Sequence, residues 1–167
     1  MSADARGAAA PLPDRKMKSV AKEIIAGVVL HRARLAILRR SPLVTGENGY
    51  WNVITGYVEP GVPPLQQAYL EIEEETGIGH EHLRLKKTAV QLLNDYSGQV
   101  WKVHVFQFDS ATDRIVLNWE NDSAHWVAFD KLFDFETVPW IRPVLECCQL
   151  PGDCLPAAPA IAAASSG

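Results

Sequence analysis

The sequence predicts a single α/β domain in which helices cover both faces of a mixed β-sheet. Three observations carry that prediction. Runs rich in Val, Ile and Leu recur at strand length between Glu23 and Phe129. Among them one stretch, from Pro63 or Pro64 to Thr76, has helical periodicity, with proline in its first turn and Gly77 at its end. The chain has 167 residues, 47% of them hydrophobic, which is enough for one well-packed domain and too little for two.

Taken in order, Glu23 to Leu30 and Leu35 to Arg40 are β-rich runs, and His31 to Arg34 between them is short enough for a hairpin. Ser41 to Gly49 is a turn-rich loop. Tyr50 to Thr55 reads as a short strand that delivers the chain to Gly56. On the helix that follows, Leu65, Ala68, Tyr69 and Ile72 fall within one arc of about 100°, the stripe that packs on a core. Lys87 to Leu93, Val100 to Phe108 and Asp113 to Trp119 read as further strands, the first two joined by turn residues between Asn94 and Gly98. His125 to Phe129 is another short strand. Asp130 is placed to N-cap a short helix, and Val138 to Gln149, with Pro139 early, makes a closing helix. Strand pair, strand, helix, strands and helix make an α/β/α layered arrangement.

Residues 1–18 are rich in Ala and Pro and read as a disordered leader. Residues 150–167 form a low-complexity tail rich in Pro, Ala and Ser, which leaves 19–149 as the folded domain. A net charge of -4 argues against binding duplex nucleic acid, which requires a clustered basic face. No apolar run approaches the roughly 18 residues of a membrane span. Cys147, Cys148 and Cys154 are odd in number and spaced for neither a disulfide framework nor a zinc site, so a cytoplasmic location is expected.

The chemistry concentrates between Gly56 and Ile78. A glycine-and-proline loop there enters the helix, which carries Glu71, Glu73, Glu74 and Glu75. Glu71, Glu74 and Glu75 stand at i, i+3 and i+4 and share one face, where uncompensated carboxylates repel one another. A hard divalent cation would compensate, since Mg²⁺ takes oxygen ligands and is typically held by one or two carboxylates plus substrate phosphates.

This segment resembles the Nudix box, G-x5-E-x7-R-E-U-x-E-E-x-G-U, where U is a bulky aliphatic. Gly56, Glu71, Ile72, Glu74, Glu75, Gly77 and Ile78 match it position by position. Val62 stands where the family has Glu, and Leu70 where it has Arg. The resemblance implies a Nudix-like α/β/α sandwich around a mixed β-sheet. It also implies metal-dependent hydrolysis of a phosphoanhydride bond, by water attack, in a nucleoside diphosphate or triphosphate derivative.

On that resemblance Glu71, Glu74, Glu75 and the Gly56 carbonyl would hold Mg²⁺ or Mn²⁺, and Glu71 and Glu74 are the expected catalytic carboxylates, Glu71 as general base. Many Nudix proteins supply one more acid from a later loop; Glu120 is the candidate here and Asp122 its weaker competitor. Trp51, Tyr57 and Trp101 are candidates for stacking a nucleotide-like small molecule, although for any single one of them packing in the core or on the sheet is the more common role. Many Nudix proteins dimerise, so a homodimer is compatible with the resemblance, and the sequence specifies no interface. No partner of duplex nucleic acid or membrane is expected.

In the family the missing arginine orients the adjacent glutamate and pairs with the missing glutamate. Losing one partner of a buried ion pair costs about 3–5 kcal/mol, whereas exchanging both for apolar groups can be neutral. Val62 and Leu70 are therefore expected to touch where the ion pair would stand. Two readings follow: a working hydrolase of reduced activity, or an impaired domain that binds a nucleotide or a protein. The retained acids favour the hydrolase.

Overall fold

A computed structural model describes residues 19–148. The expectations for the leader at 1–18, the tail at 150–167, Gln149 and Cys154 lie outside the described residues.

The predicted hairpin consists of strands β1 (Val20–His31) and β2 (Arg34–Arg40), paired through Leu30 with Leu35 and His31 with Arg34. Arg32 and Ala33 turn the chain at φ 48° and 61°, the left-handed pair that suits the twist of a two-residue hairpin. Next come β3 (Trp51–Asn52), β4 (Ile54–Tyr57), helix α1 (Pro64–Thr76), β5 (Leu83–Asn94), β6 (Val100–Ser110), β7 (Asn121–Val127) and helix α2 (Ile141–Cys147). Gly77 caps α1 in the left-handed conformation, as its position predicts.

The seven strands of the described residues belong to one mixed sheet. Strand β1 lies at its centre, parallel to β6 on one side. Its other side is shared, by β2 at the hairpin end and by antiparallel β4 at the opposite end. Strand β5 extends the sheet beyond β6, and β7 lies antiparallel to β2. Alternation along β1 sends Ile25 and Val29 to one face, against Ala68 and Ile72 of α1, with Phe106 and Phe108. Ala26, Val28 and Leu30 point to the other face, with Val103, Val105 and the α2 residues Ile141, Val144 and Leu145. The result is a three-layer α/β/α sandwich with a core on each face.

Several local expectations are corrected. Asp113 to Trp119 is not a strand. Ile115 and Leu117 do alternate inward onto the α1-side core, but the Val116 N–H donates to the Thr76 carbonyl at 2.8 Å and so serves the end of α1 instead of a sheet ladder. The strand expected at His125 begins earlier, at Asn121, and Phe129 opens a 3-10 turn. That turn is capped at Ala128, without a side-chain bond, and Asp130 lies inside it. Helix α2 starts at Ile141, later than expected, and the Val138 N–H donates to the Trp51 carbonyl at 3.0 Å. Cys147 and Cys148 are free thiols, and burial pushes Cys148 up to about 12, so it stays protonated and inert.

Candidate active site

Strand β4 carries Gly56 to the sheet face that α1 covers, opposite Ile25. A turn with Gly61 at φ 80° then leads into the helix, and Pro64 occupies a first-turn position where its missing N–H leaves no bond unmade. Ala68 and Ile72 are fully buried, while Leu65 and Tyr69 pack at the margin of the same cluster. Gly56 has no left-handed backbone; what it needs is space. A Cβ there would overlap the Glu71 carboxyl group. The absent side chain is therefore what admits Glu71 to the sheet surface.

The structure brings Glu71, Glu75 and Glu120 together and leaves Glu74 beside them, exposed to solvent. Glu71 is half-buried, and its Oε1 accepts a hydrogen bond from Gln67 Nε2 at 2.9 Å. Glu75 is only 6% exposed; its Oε2 accepts from Asn121 Nδ2 at 2.8 Å, and the Thr55 backbone supplies another bond. Glu120 Oε1 accepts from Asn118 Nδ2 at 3.3 Å. Its loop is anchored by buried Ser41, whose N–H donates to the Glu120 carbonyl and whose Oγ donates to the Trp119 carbonyl, both at 2.8 Å. Each of the three acids is thus held by a neutral amide.

Burial is the main force on the protonation of Glu75 and Glu71. It pushes Glu75 up to about 8, against the Asn121 bond and with help from the Glu120 and Glu71 charges. Glu71 is raised for the same first reason, opposed by Gln67 and reinforced by Glu74, Glu120 and Glu59. Among the described residues no three His, Cys, Asp or Glu side chains form a ready-made metal cage. The donor set still fits a hard divalent ion: it is all carboxylate oxygen, with no cationic side chain bonded to Glu71, Glu75 or Glu120 among the described residues. An ion of this class completes its shell with water and substrate phosphate.

The other expected residues separate. Asp122 is bound to Arg39 at 2.7 Å, which holds its carboxyl below the usual range and takes it away from the acids. Trp51 is 9% exposed and packs in the α2-side core against Phe135 and His125, so it is a core residue and offers no free stacking face. Tyr57 is 56% exposed, and its ring centroid lies 6.2 Å from that of half-buried Trp101. Lys22 Nζ stands 4.9 Å from the Tyr57 ring and 5.3 Å from Trp101, within cation–π range of both. Elsewhere on the sheet, His104 of β6 pairs with Glu23 of β1 at 2.8 Å.

The expected contact between Val62 and Leu70 does not fit the structure. Leu70 is 41% exposed, Val62 is half-buried, and neither joins a core cluster. No buried apolar pair replaces the family's ion pair. A recess of about 530 Å³ lies between residues 113–117 and β7, lined by Asp113, Ile115, Asp122 and Trp126 among others, and none of the clustered acids lines it.

Gln67, Asn118, Asn121, Ser41 and Lys22 are site residues that the sequence reading missed. For Gln67 a signal existed, because it precedes Glu71 by one helical turn. Asn121 lies 46 residues from Glu75, and nothing local announces that partnership.

Comparison with known proteins agrees with this geometry. The family model described as the NUDIX domain matches residues 21–148. An RNA pyrophosphohydrolase of Bartonella tribocorum is 33% identical over 106 residues, covering 54% of this chain and 60% of that protein. An octanoyltransferase of Myxococcus xanthus is 46% identical over 46 residues, covering 28% of this chain and 12% of that protein. The chain therefore spans less than two thirds of either curated relative. In fold it is similar to an Ap4A hydrolase of C. elegans, with a TM-score of 0.65 at 17% identity, covering 77% of this chain and 96% of that one.

Proposed function

Because the chain belongs to the Nudix family, we propose that it hydrolyses a pyrophosphate bond in a nucleoside diphosphate or triphosphate derivative, using Mg²⁺ or Mn²⁺. The observation that carries this reading is the cluster of Glu71, Glu75 and Glu120, each bonded to a neutral amide, with Glu71 seated against Gly56. Glu71, Glu74, Glu75, Glu120 and the Gly56 carbonyl are the groups that would hold the ion. When bound, the ion supplies neutralisation of phosphate charge and Lewis-acid polarisation.

The chain's own residues do the rest. Glu71 has one oxygen on Gln67 and its carboxyl raised by burial, which suits it to take a proton from the attacking water. Glu74, exposed on the same helix face, is the second catalytic carboxylate. Tyr57, next to Gly56 along β4, and Trp101 of β6 lie on the opposite sheet face from Gly56 and are the proposed platform for a base, with Lys22 beside them for a phosphate or ring edge. The similar proteins, an RNA pyrophosphohydrolase and an Ap4A hydrolase, make RNA pyrophosphate and Ap4A the two compounds to try first.

The test is a panel of nucleoside diphosphate derivatives with Mg²⁺ or Mn²⁺. Turnover that Glu71→Gln and Glu75→Gln each abolish is expected. One observation favours a second reading, a binding module: Leu70 lies in solvent and restores none of the box arginine's contacts. Metal binding without hydrolysis of any compound on the panel would select that module.

A further inference from the structure

We propose that Gln67 is the positioning residue of Glu71 and stands in for the arginine that the box lacks at Leu70. The inference rests on the hydrolase reading where turnover is concerned, and on the geometry alone where metal binding is concerned.

Gln67 is 4% exposed, an unusual burial for a glutamine on a helix that reaches solvent. Its Oε1 accepts the Glu59 N–H at 3.4 Å, and its Nε2 donates to Glu71 Oε1 at 2.9 Å. A backbone N–H can only donate, so it fixes which end of the amide faces the loop and leaves the NH₂ for the carboxylate. One side chain therefore ties the loop before α1 to the acid one turn later. Gly56 closes the opposite side, because the carboxyl group of Glu71 occupies the space that a Cβ would need. Bond on one flank and backbone on the other leave Glu71 a single orientation.

Leu70 is 41% exposed and has no polar atom to give. An arginine would orient Glu71 while neutralising it; an amide orients it and leaves the full charge to a cation. The same choice recurs at Asn121 on Glu75 and Asn118 on Glu120. At Glu71, orientation thus comes from an amide where the family has a cation.

The test uses the full chain, with Mn²⁺ affinity by calorimetry and kcat and KM on whichever panel compound is turned over. Gln67→Met keeps the volume and removes the donor. It should weaken Mn²⁺ binding about 10-fold and lower kcat about 10–100-fold, with KM nearly unchanged. Leu70→Arg in the Gln67→Met background should recover most of both losses. In a Glu71→Gln background Gln67→Met should change Mn²⁺ affinity less than about twofold, since the partner it positions is already altered.

Wild-type metal binding and turnover in Gln67→Met overturns the proposal. So does an equal loss in the Glu71→Gln background, or a loss that Leu70→Arg leaves unrestored. If circular dichroism shows Gln67→Met unfolded, Gln67→Asn, one methylene too short for the bond, carries the same comparisons. If the wild type hydrolyses nothing, the Mn²⁺ comparisons still decide the role of Gln67, and only the hydrolase reading falls. Turnover that is indifferent to Gln67→Met removes this proposal and leaves the hydrolase standing.

Discussion

Glu75 illustrates at the scale of one residue what the fold gives up for its site. A carboxylate kept 6% exposed and pushed up to about 8 is poorly solvated as an anion, and the Asn121 bond offsets only part of that cost. The sign follows from its raised affinity for the proton. Below its ordinary value near 4.5 the group is protonated whether the chain is folded or not. As pH rises toward about 8 the unfolded chain ionises freely and the folded one does not, so stability is lost across that window. Metal-free protein should lose a few kcal/mol between about pH 5 and pH 8. Glu75→Gln should flatten the loss while abolishing activity, and Mn²⁺ should recover it in the wild type. Thermal melts across pH check all three; a flat wild-type profile would count against the burial argument. Gly56→Ala is the matching steric test. The backbone there tolerates a Cβ and Glu71 does not, so the variant should fold, yet bind Mn²⁺ at least about 10-fold more weakly by calorimetry.

Elements differ in how far they announce themselves. Helix α1 was legible at both ends, since Pro64 and Gly77 act through local backbone geometry alone. The i, i+3, i+4 spacing of Glu71, Glu74 and Glu75 placed them on one face for the same reason. The segment 113–119 was misread because its alternation of Ile115 and Leu117 is real, and only the tertiary demand of the Thr76 carbonyl decides against a ladder. Whether Trp51 stacks or packs was not legible, because a two-residue strand carries too little pattern to show which side is covered; it packs. The β1–β2 hairpin allows a test of its own. Ala33 holds φ 61°, which costs a residue with a Cβ on the order of 1 kcal/mol. Ala33→Gly should accordingly raise Tm by a few degrees without changing the site.

Across the whole molecule the two cores divide the labour. The α1-side core sets the helix that bears the acids, whereas the α2-side core closes the other face of the sheet. Leu145 is fully buried on the α2 side, away from Gly56 and Glu71. Leu145→Ala should destabilise by about 2–5 kcal/mol, measured by urea unfolding. Metal affinity of the molecules that remain folded should stay within about twofold of wild type. A proportional loss of both would mean that the faces are coupled through the sheet.

The parallel pairing of β1 with β6 joins residues about eighty positions apart, such as Val20 with Val100 and Leu30 with Asp109. Everything that bears the acids of the box is strung between those partners, so the chain must close a long loop before its central ladder can form. Hairpins and α1 can assemble early from local contacts, but the enclosing pair adds a slow, non-local step. The order of assembly then has a consequence for quality control in time: a chain released before β6 is made would carry the whole box on the strands before it, yet lack Phe106 and Phe108 from the core beneath α1.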